Sequence, residues 1–138
     1  MNLAVKWAEV SFHLHATEDV TRVARAIGEA LMVKGFEETH LQGHYGNDII
    51  DERATVEGED AERLLRRVCE GLSSSDKVLL LGELRRHVDD GGTFYIRLDK
   101  QQLLSQRMVM AESDSVRMKF KLDAKGDRAY EMVRSCLT

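Results

Sequence analysis

Phe12-His13-Leu14-His15-Ala16-Thr17-Glu18-Asp19 marks the point where one periodicity gives way to another. Upstream of it, Ala8, Val10, Phe12 and Leu14 alternate with Glu9, Ser11, His13 and His15, the two-residue period of a half-buried strand, so Val5 to His15 is predicted as a strand. Downstream, Val20, Val23, Ala24, Ile27 and Leu31 recur at helical spacing, which predicts an amphipathic helix over 18–33. Thr17 stands where an N-cap is expected, with Glu18 and Asp19 in the first turn, where the helix dipole favours acids, and Gly35 is positioned to end the helix.

The remaining pattern keeps the two element types mixed. Strands are expected over 36–41, 49–56, 93–98, 108–110 and 115–122. Helices are expected over 59–72, 76–87, 99–106 and 127–137. Ser73-Ser74-Ser75-Asp76 supplies a cap for one of these helices, and Asp89-Asp90-Gly91-Gly92 a turn. The chain holds no proline, and strands and helices do not alternate strictly as βαβ units. The expected class is therefore α+β: a two-layer domain with a largely antiparallel sheet and helices on one face. At 138 residues, the chain (1–138) has the length of a single domain.

No apolar run exceeds four residues, Val78–Leu81 being one of that length, so no membrane span is expected. Lys6 and Glu9 interrupt the start where a signal peptide would be apolar, which points to a cytoplasmic protein. Cys69 and Cys136 fall inside helical patterns and read as small buried thiols rather than a metal site. Net charge is −4, but residues 97–138 carry nine basic against six acidic side chains. This basic third on an acidic body is either an electrostatic footprint for a polyanion or chance variation between segments.

Few residues carry visible chemistry. His13 and His15 point the same way on a strand and could present two imidazoles to a metal. The HxHxDH pattern of metallo-hydrolases would need Asp and His where Thr17 and Glu18 stand, and strand histidines beside a helix start explain the pair more simply. Gly43-His44-Tyr45-Gly46 matches a bare GxxG nucleic-acid clamp, but it lies between strands and not between helices, so its glycines serve a turn equally well. His44, Tyr45 and Asn47 can stack on bases or hydrogen-bond to them. Val116-Arg117-Met118-Lys119-Phe120-Lys121-Leu122 alternates throughout, which puts Arg117, Lys119 and Lys121 in one row. Their spacing of roughly 6.5–7 Å, two strand rises, is near that of successive phosphates on a single strand; a solvated sheet face is the plainer alternative. Arg97-Leu98-Asp99-Lys100-Gln101 adds donors in Arg97, Lys100 and Gln101, or else opens a short helix capped by Asp99. No catalytic centre, cofactor site or metal set is legible.

Three segments taken together, His15-Ala16-Thr17-Glu18-Asp19, Gly43-His44-Tyr45-Gly46-Asn47 and Arg97-Leu98-Asp99-Lys100-Gln101, resemble the signature of the archaeal RNA-binding proteins also described as predicted exosome subunits. The resemblance runs from about Lys6 to Leu122. After Gln101 the pattern leads one to expect a small residue and a glycine, whereas Gln102, Leu103 and Leu104 follow. That family is similar in fold to the ribosomal protein that binds 5S rRNA. The resemblance implies RNA binding connected with RNA processing or degradation. With no catalytic centre legible, the expected function is a non-enzymatic RNA binder, acting alone or beside an RNA-degrading assembly, and the residues' own chemistry makes Arg97, Lys100, Gln101, Arg117, Lys119, Lys121, His15, His44, Tyr45 and Asn47 candidate RNA contacts. A protein–protein module, for example a homodimer, is the alternative, and a metal-dependent hydrolase the third.

Overall fold

The computed structural model describes residues 4–43 and 45–138. Five strands, β1 (Val5–His15), β2 (Glu37–Gln42), β3 (Asp48–Glu57), β4 (Thr93–Asp99) and β5 (Ser115–Leu122), alternate irregularly with five helices. These are α1 (Val20–Leu31), α2 (Gly58–Gly71), α3 (Ser74–Gly82), α4 (Lys100–Leu104) and α5 (Gly126–Leu137). The strands form one sheet in the order β2-β3-β1-β5-β4. Every neighbouring pair is antiparallel, and β1 lies at the centre. This is the expected α+β architecture. No helix among the described residues is long and apolar enough to cross a membrane.

The alternation read from the sequence explains the layering. Ala8, Val10, Phe12 and Leu14 of β1 are fully buried, as are Phe94 and Leu98 of β4 and Val116 and Phe120 of β5. A bulge at Lys6, between Val5 and Trp7, lets Val5 face the core as well despite its odd spacing from Ala8. Against this face α2 lies along β1 and β3, α1 packs on α2 and α4, and α5 joins α2 to α3. Phe94 and Phe120 stack with ring centroids 5.9 Å apart, and Phe12 meets Phe36 edge-on at 5.3 Å. A fully buried side chain of this size contributes about 1.5–3 kcal/mol, so this apolar layer holds the sheet to the helices.

Element boundaries differ from expectation where polar side chains intervene. Asp19, not Thr17, caps α1: its Oδ1 accepts the Arg22 N–H at 3.2 Å. Before it, a turn closes through Glu18 N–H to His15 O, 2.9 Å, and the Glu18 carboxylate accepts the His15 N–H. Thr17 is left in that turn. The helix ends at Met32, in the left-handed region at φ 56°, where its N–H and that of Val33 turn back to Glu29 O and Gly28 O; Gly35 lies beyond. α3 stops at Gly82 and a 3-10 turn over Leu84–Arg86 follows, so the helix expected over 76–87 is broken in two. Met108–Met110 forms isolated bridges to Leu72 and Leu98 and not a strand, and thereby covers the outer edge of β4.

One acid sits on the wrong side of this layering. Glu52 pairs with Phe12 across the ladder, and only 4% of it is exposed. Burial, then Glu38 and Asp51, raises its carboxyl above the usual glutamate range. A carboxyl raised on folding destabilises once pH passes its unfolded value, and the full penalty is present above the folded one. Glu52→Gln is therefore expected to stabilise the protein at pH 7 by up to about 1 kcal/mol, with the gain vanishing below the ordinary glutamate pKa. Urea denaturation at two pH values checks this, and an equal effect at both would refute it.

Candidate nucleic-acid interface

The face of the sheet turned away from the core carries the polar half of each alternation. Across it, Lys121 stands opposite Trp7, Lys119 opposite Glu9 and Arg117 opposite Ser11 on β1. On the other side of β5, Lys121, Lys119 and Arg117 face Thr93, Tyr95 and Arg97 of β4. The predicted basic row and Arg97 thus lie together on one face. Glu9, Tyr95, Arg97, Arg117 and Lys119 help to line a concavity of about 920 Å³ there. Its side wall comes from Leu79 of α3 and from Glu83, Arg86 and His87 just after that helix. The wall is fixed to the β4 edge by Tyr95 N–H to His87 O, 2.8 Å, and by a 2.8 Å contact of His87 Nδ1 with Tyr95 O.

Acidic side chains partly offset the basic ones. Arg53 reaches from β3 to Glu9 at 2.8 Å and to Asp51 at 3.4 Å, Lys119 lies 3.8 Å from Glu9, and Arg117 lies 3.8 Å from Asp51. The Asp51 bond holds the Arg53 guanidinium firmly protonated. Asp51 is 7% exposed and its Oδ1 makes no aligned hydrogen bond, although His13 Nε2 is 3.0 Å away. Arg117 Nη2 lies 3.2 Å from that same Nε2. Arginine only donates, so an unprotonated His13 Nε2 accepts from Arg117, while a protonated one turns its N–H to Asp51. Charge density therefore thins toward β3 and persists along β4–β5, where Arg97 donates to Glu112 O at 3.3 Å and Lys121 donates to Gly91 O.

Tyr95, Arg53, Arg86 and His87 belong to this concavity and are not among the residues expected from the sequence. A signal for Tyr95 is present there: in Thr93-Phe94-Tyr95-Ile96-Arg97 the residue shares the parity of Arg97. It is 45% exposed, and its hydroxyl donates to Asp89 Oδ2 at 3.2 Å. Burial, then Asp89, raises the Tyr95 hydroxyl above its usual range, while the Thr93 N–H and the Tyr95 hydroxyl hold Asp89 below the carboxylate norm.

The other candidates lie elsewhere. Lys100 is 1% exposed, and its ammonium donates to His13 O at 3.0 Å, to Glu18 Oε1 at 3.2 Å and to Asp114 Oδ1 at 2.9 Å. With its donors spent inside the protein, Lys100 is not a surface phosphate ligand, which corrects the expectation from sequence. Gln101 is exposed on α4, His15 at the end of β1, and Tyr45 and Asn47 in the β2–β3 turn closed by Gly43 N–H to Asn47 O. His44 lies outside the described residues. Among the described residues no group of three or more His, Cys, Asp or Glu side chains is placed to hold a metal ion.

The three signature segments meet at one end of the sheet. His15 pairs with Ile49 at the start of β3, Gln42 pairs with Asp48, and Asp99 pairs with Ser115. Lys100 ties the third segment to the first through His13 O and Glu18. At least part of the signature is therefore architectural.

Known proteins resemble this chain in sequence and in fold. A family described as RNA binding matches residues 7–122. The RNA-binding protein PAB1135 of Pyrococcus abyssi is 31% identical over 135 residues, covering 90% of this chain and 88% of that protein. An uncharacterized protein of Methanocaldococcus jannaschii is 31% identical over 122 residues, covering 81% and 80%. The structure of Mth689, a DUF54 protein from Methanothermobacter thermautotrophicus, superposes with a TM-score of 0.82 at 22% identity over 97% of this chain and 98% of that one, which shows a shared fold. Matched over nearly the whole sheet and its helices, the chain belongs to the RNA-binding family.

Proposed function

We propose that this protein binds RNA directly and without catalysing a reaction, through the open face of its sheet. The observation that carries the reading is the alignment of Arg97 with Arg117, Lys119 and Lys121 on adjacent strands, which turns a weak sequence pattern into one basic strip. Phosphates lie along that strip, with Arg53 and His13 at its inner border. His15, Gln101, Tyr45 and Asn47 stand at the end of the sheet and extend the binding surface. A role beside an RNA-degrading assembly such as the exosome fits a non-catalytic RNA binder and belongs to this proposal.

Arg97→Gln with Lys119→Gln is expected to weaken binding of a labelled RNA about 10-fold at moderate salt. The log–log salt dependence should flatten by about 1 for each phosphate no longer neutralised. Fluorescence anisotropy across a salt series reads both quantities, and thermal melting verifies the fold. An unchanged slope would reject the strip as the phosphate site.

A second reading, a protein–protein module, draws on β2, whose six residues are all exposed and which, among the described strands, pairs with β3 alone. Light scattering of the RNA-free protein separates the two readings.

A further inference from the structure

The concavity beside the basic strip restricts what form of RNA the face can take. We propose that the ligand is an unpaired strand, with one base stacked on the Tyr95 ring; this rests on the RNA-binding reading above. Four observations lead to it. First, the concavity holds about 920 Å³, the scale of a few nucleotides, and the wall after α3 rises along the β4 edge. An A-form duplex is read by shape across its shallow minor groove and its backbone, and it cannot send a base into a walled recess. Second, Tyr95 is 45% exposed and lines the concavity. Its hydroxyl is tethered to Asp89 and its backbone to His87, so the platform is oriented before any ligand arrives.

Third, the lining mixes cations with carboxylates, Glu9 standing within the strip against Arg53 and Lys119. Arg97, Arg117 and Lys119 lie along the strip, while Glu9, Glu83 and Glu112 line the same concavity. Carboxylates repel phosphate but accept hydrogen bonds from base amino groups, as in readout of cytosine N4. Acceptors set among the cations suit bases presented beside their phosphates, and this needs Watson–Crick edges that are free. Fourth, a second aromatic stands on the other side of the same lysine: Lys119 Nζ lies 5.9 Å from the Trp7 ring centroid. Aromatic and cationic side chains interleaved on one face are the arrangement by which single strands are held.

The test uses the full chain and two labelled probes of one sequence of about a dozen nucleotides, one single-stranded and one annealed to its complement. The single strand is expected to bind at least about 10-fold more tightly, and to quench the fluorescence of Trp7, the one tryptophan. Tyr95→Leu is expected to lose about 10-fold on the single strand and little on the duplex, whereas Tyr95→Phe, which keeps the ring and gives up only the Asp89 tether, is expected to lose clearly less than Tyr95→Leu. Equal or tighter duplex binding by the parent overturns the inference while leaving RNA binding in place, and so does an unaltered affinity in a folded Tyr95→Leu. If the parent binds neither probe, the RNA-binding reading fails, and this inference with it. The comparison of the two probes needs no variant, so it decides the matter even where Tyr95→Leu misfolds.

Discussion

Lys100→Met is expected to lower folding stability by about 3 kcal/mol, a larger effect than any single surface charge on the sheet could produce. Methionine fills the volume of the lysine stem, so little of the loss comes from packing. The loss comes from groups left behind. His13 O gives up a donor, and Glu18 and Asp114 lose the cation between them. Breaking one side of a buried ion pair costs about 3–5 kcal/mol, but Asp114 is 54% exposed and recovers part of that from water, which places the expectation at the lower end. Urea denaturation with an unchanged m-value measures it. Adding Glu18→Gln and Asp114→Asn to Lys100→Met should restore part of the stability, because the stranded charges are then gone. A loss below about 0.5 kcal/mol would place Lys100 among ordinary surface residues. RNA affinity of the folded Lys100→Met protein should keep the parent salt slope, unlike the Arg97 and Lys119 variant.

Gly92→Ala is expected to be of similar size, about 3 kcal/mol, for a different reason. Gly92 has φ +88°, a conformation that an L-residue adopts only under strain, and a Cβ there would overlap Ala124 O. That oxygen belongs to backbone between β5 and α5, so relief requires movement of the loop and not of a side chain. Gly92 O also accepts the Leu122 N–H at 2.8 Å, and neighbouring Gly91 O holds Lys121. The variant should therefore both melt lower and lose some of the RNA affinity that depends on Lys121. Calorimetry together with anisotropy checks both arms. A parent-like melting temperature would mean that the turn tolerates a side chain.

Strands β1, β4 and β5 are legible in the sequence because they obey a two-residue period: Ala8 to Leu14, Phe94 to Leu98 and Val116 to Leu122 all bury the faces expected of them, whereas β2 is exposed throughout. The strip formed by Arg97 with Arg117 to Lys121 is half legible. Periodicity places residues within a strand, but only the β4–β5 register, a long-range fact, places two strands' residues side by side. Lys100 misleads because nothing local distinguishes a lysine that reaches solvent from one that closes an internal turn. That distinction rests on Glu18, distant in sequence, and on Asp114, in the loop before β5. Thr17 competes with Asp19 for the cap because Thr, Glu and Asp all suit a helix start, and Glu18 turning back to His15 decides between them. The wall of the concavity leaves no trace in the local pattern, since it depends on α3 breaking at Gly82.

Strand β2 has a consequence for how the molecule breathes. All six of its side chains are exposed, and it is held by its ladder to β3 at the edge of the sheet. Lifting it off would expose little apolar surface, so its opening free energy should fall far below that of β1, which is paired on both sides and buries Val10, Phe12 and Leu14. Amide hydrogens of residues 37–42 should then exchange orders of magnitude faster than those of residues 8–14, whose exchange awaits global unfolding. Strand β2, which leads into one of the three signature segments, would thus be the part of the sheet most readily detached and re-formed, while β3 stays with β1.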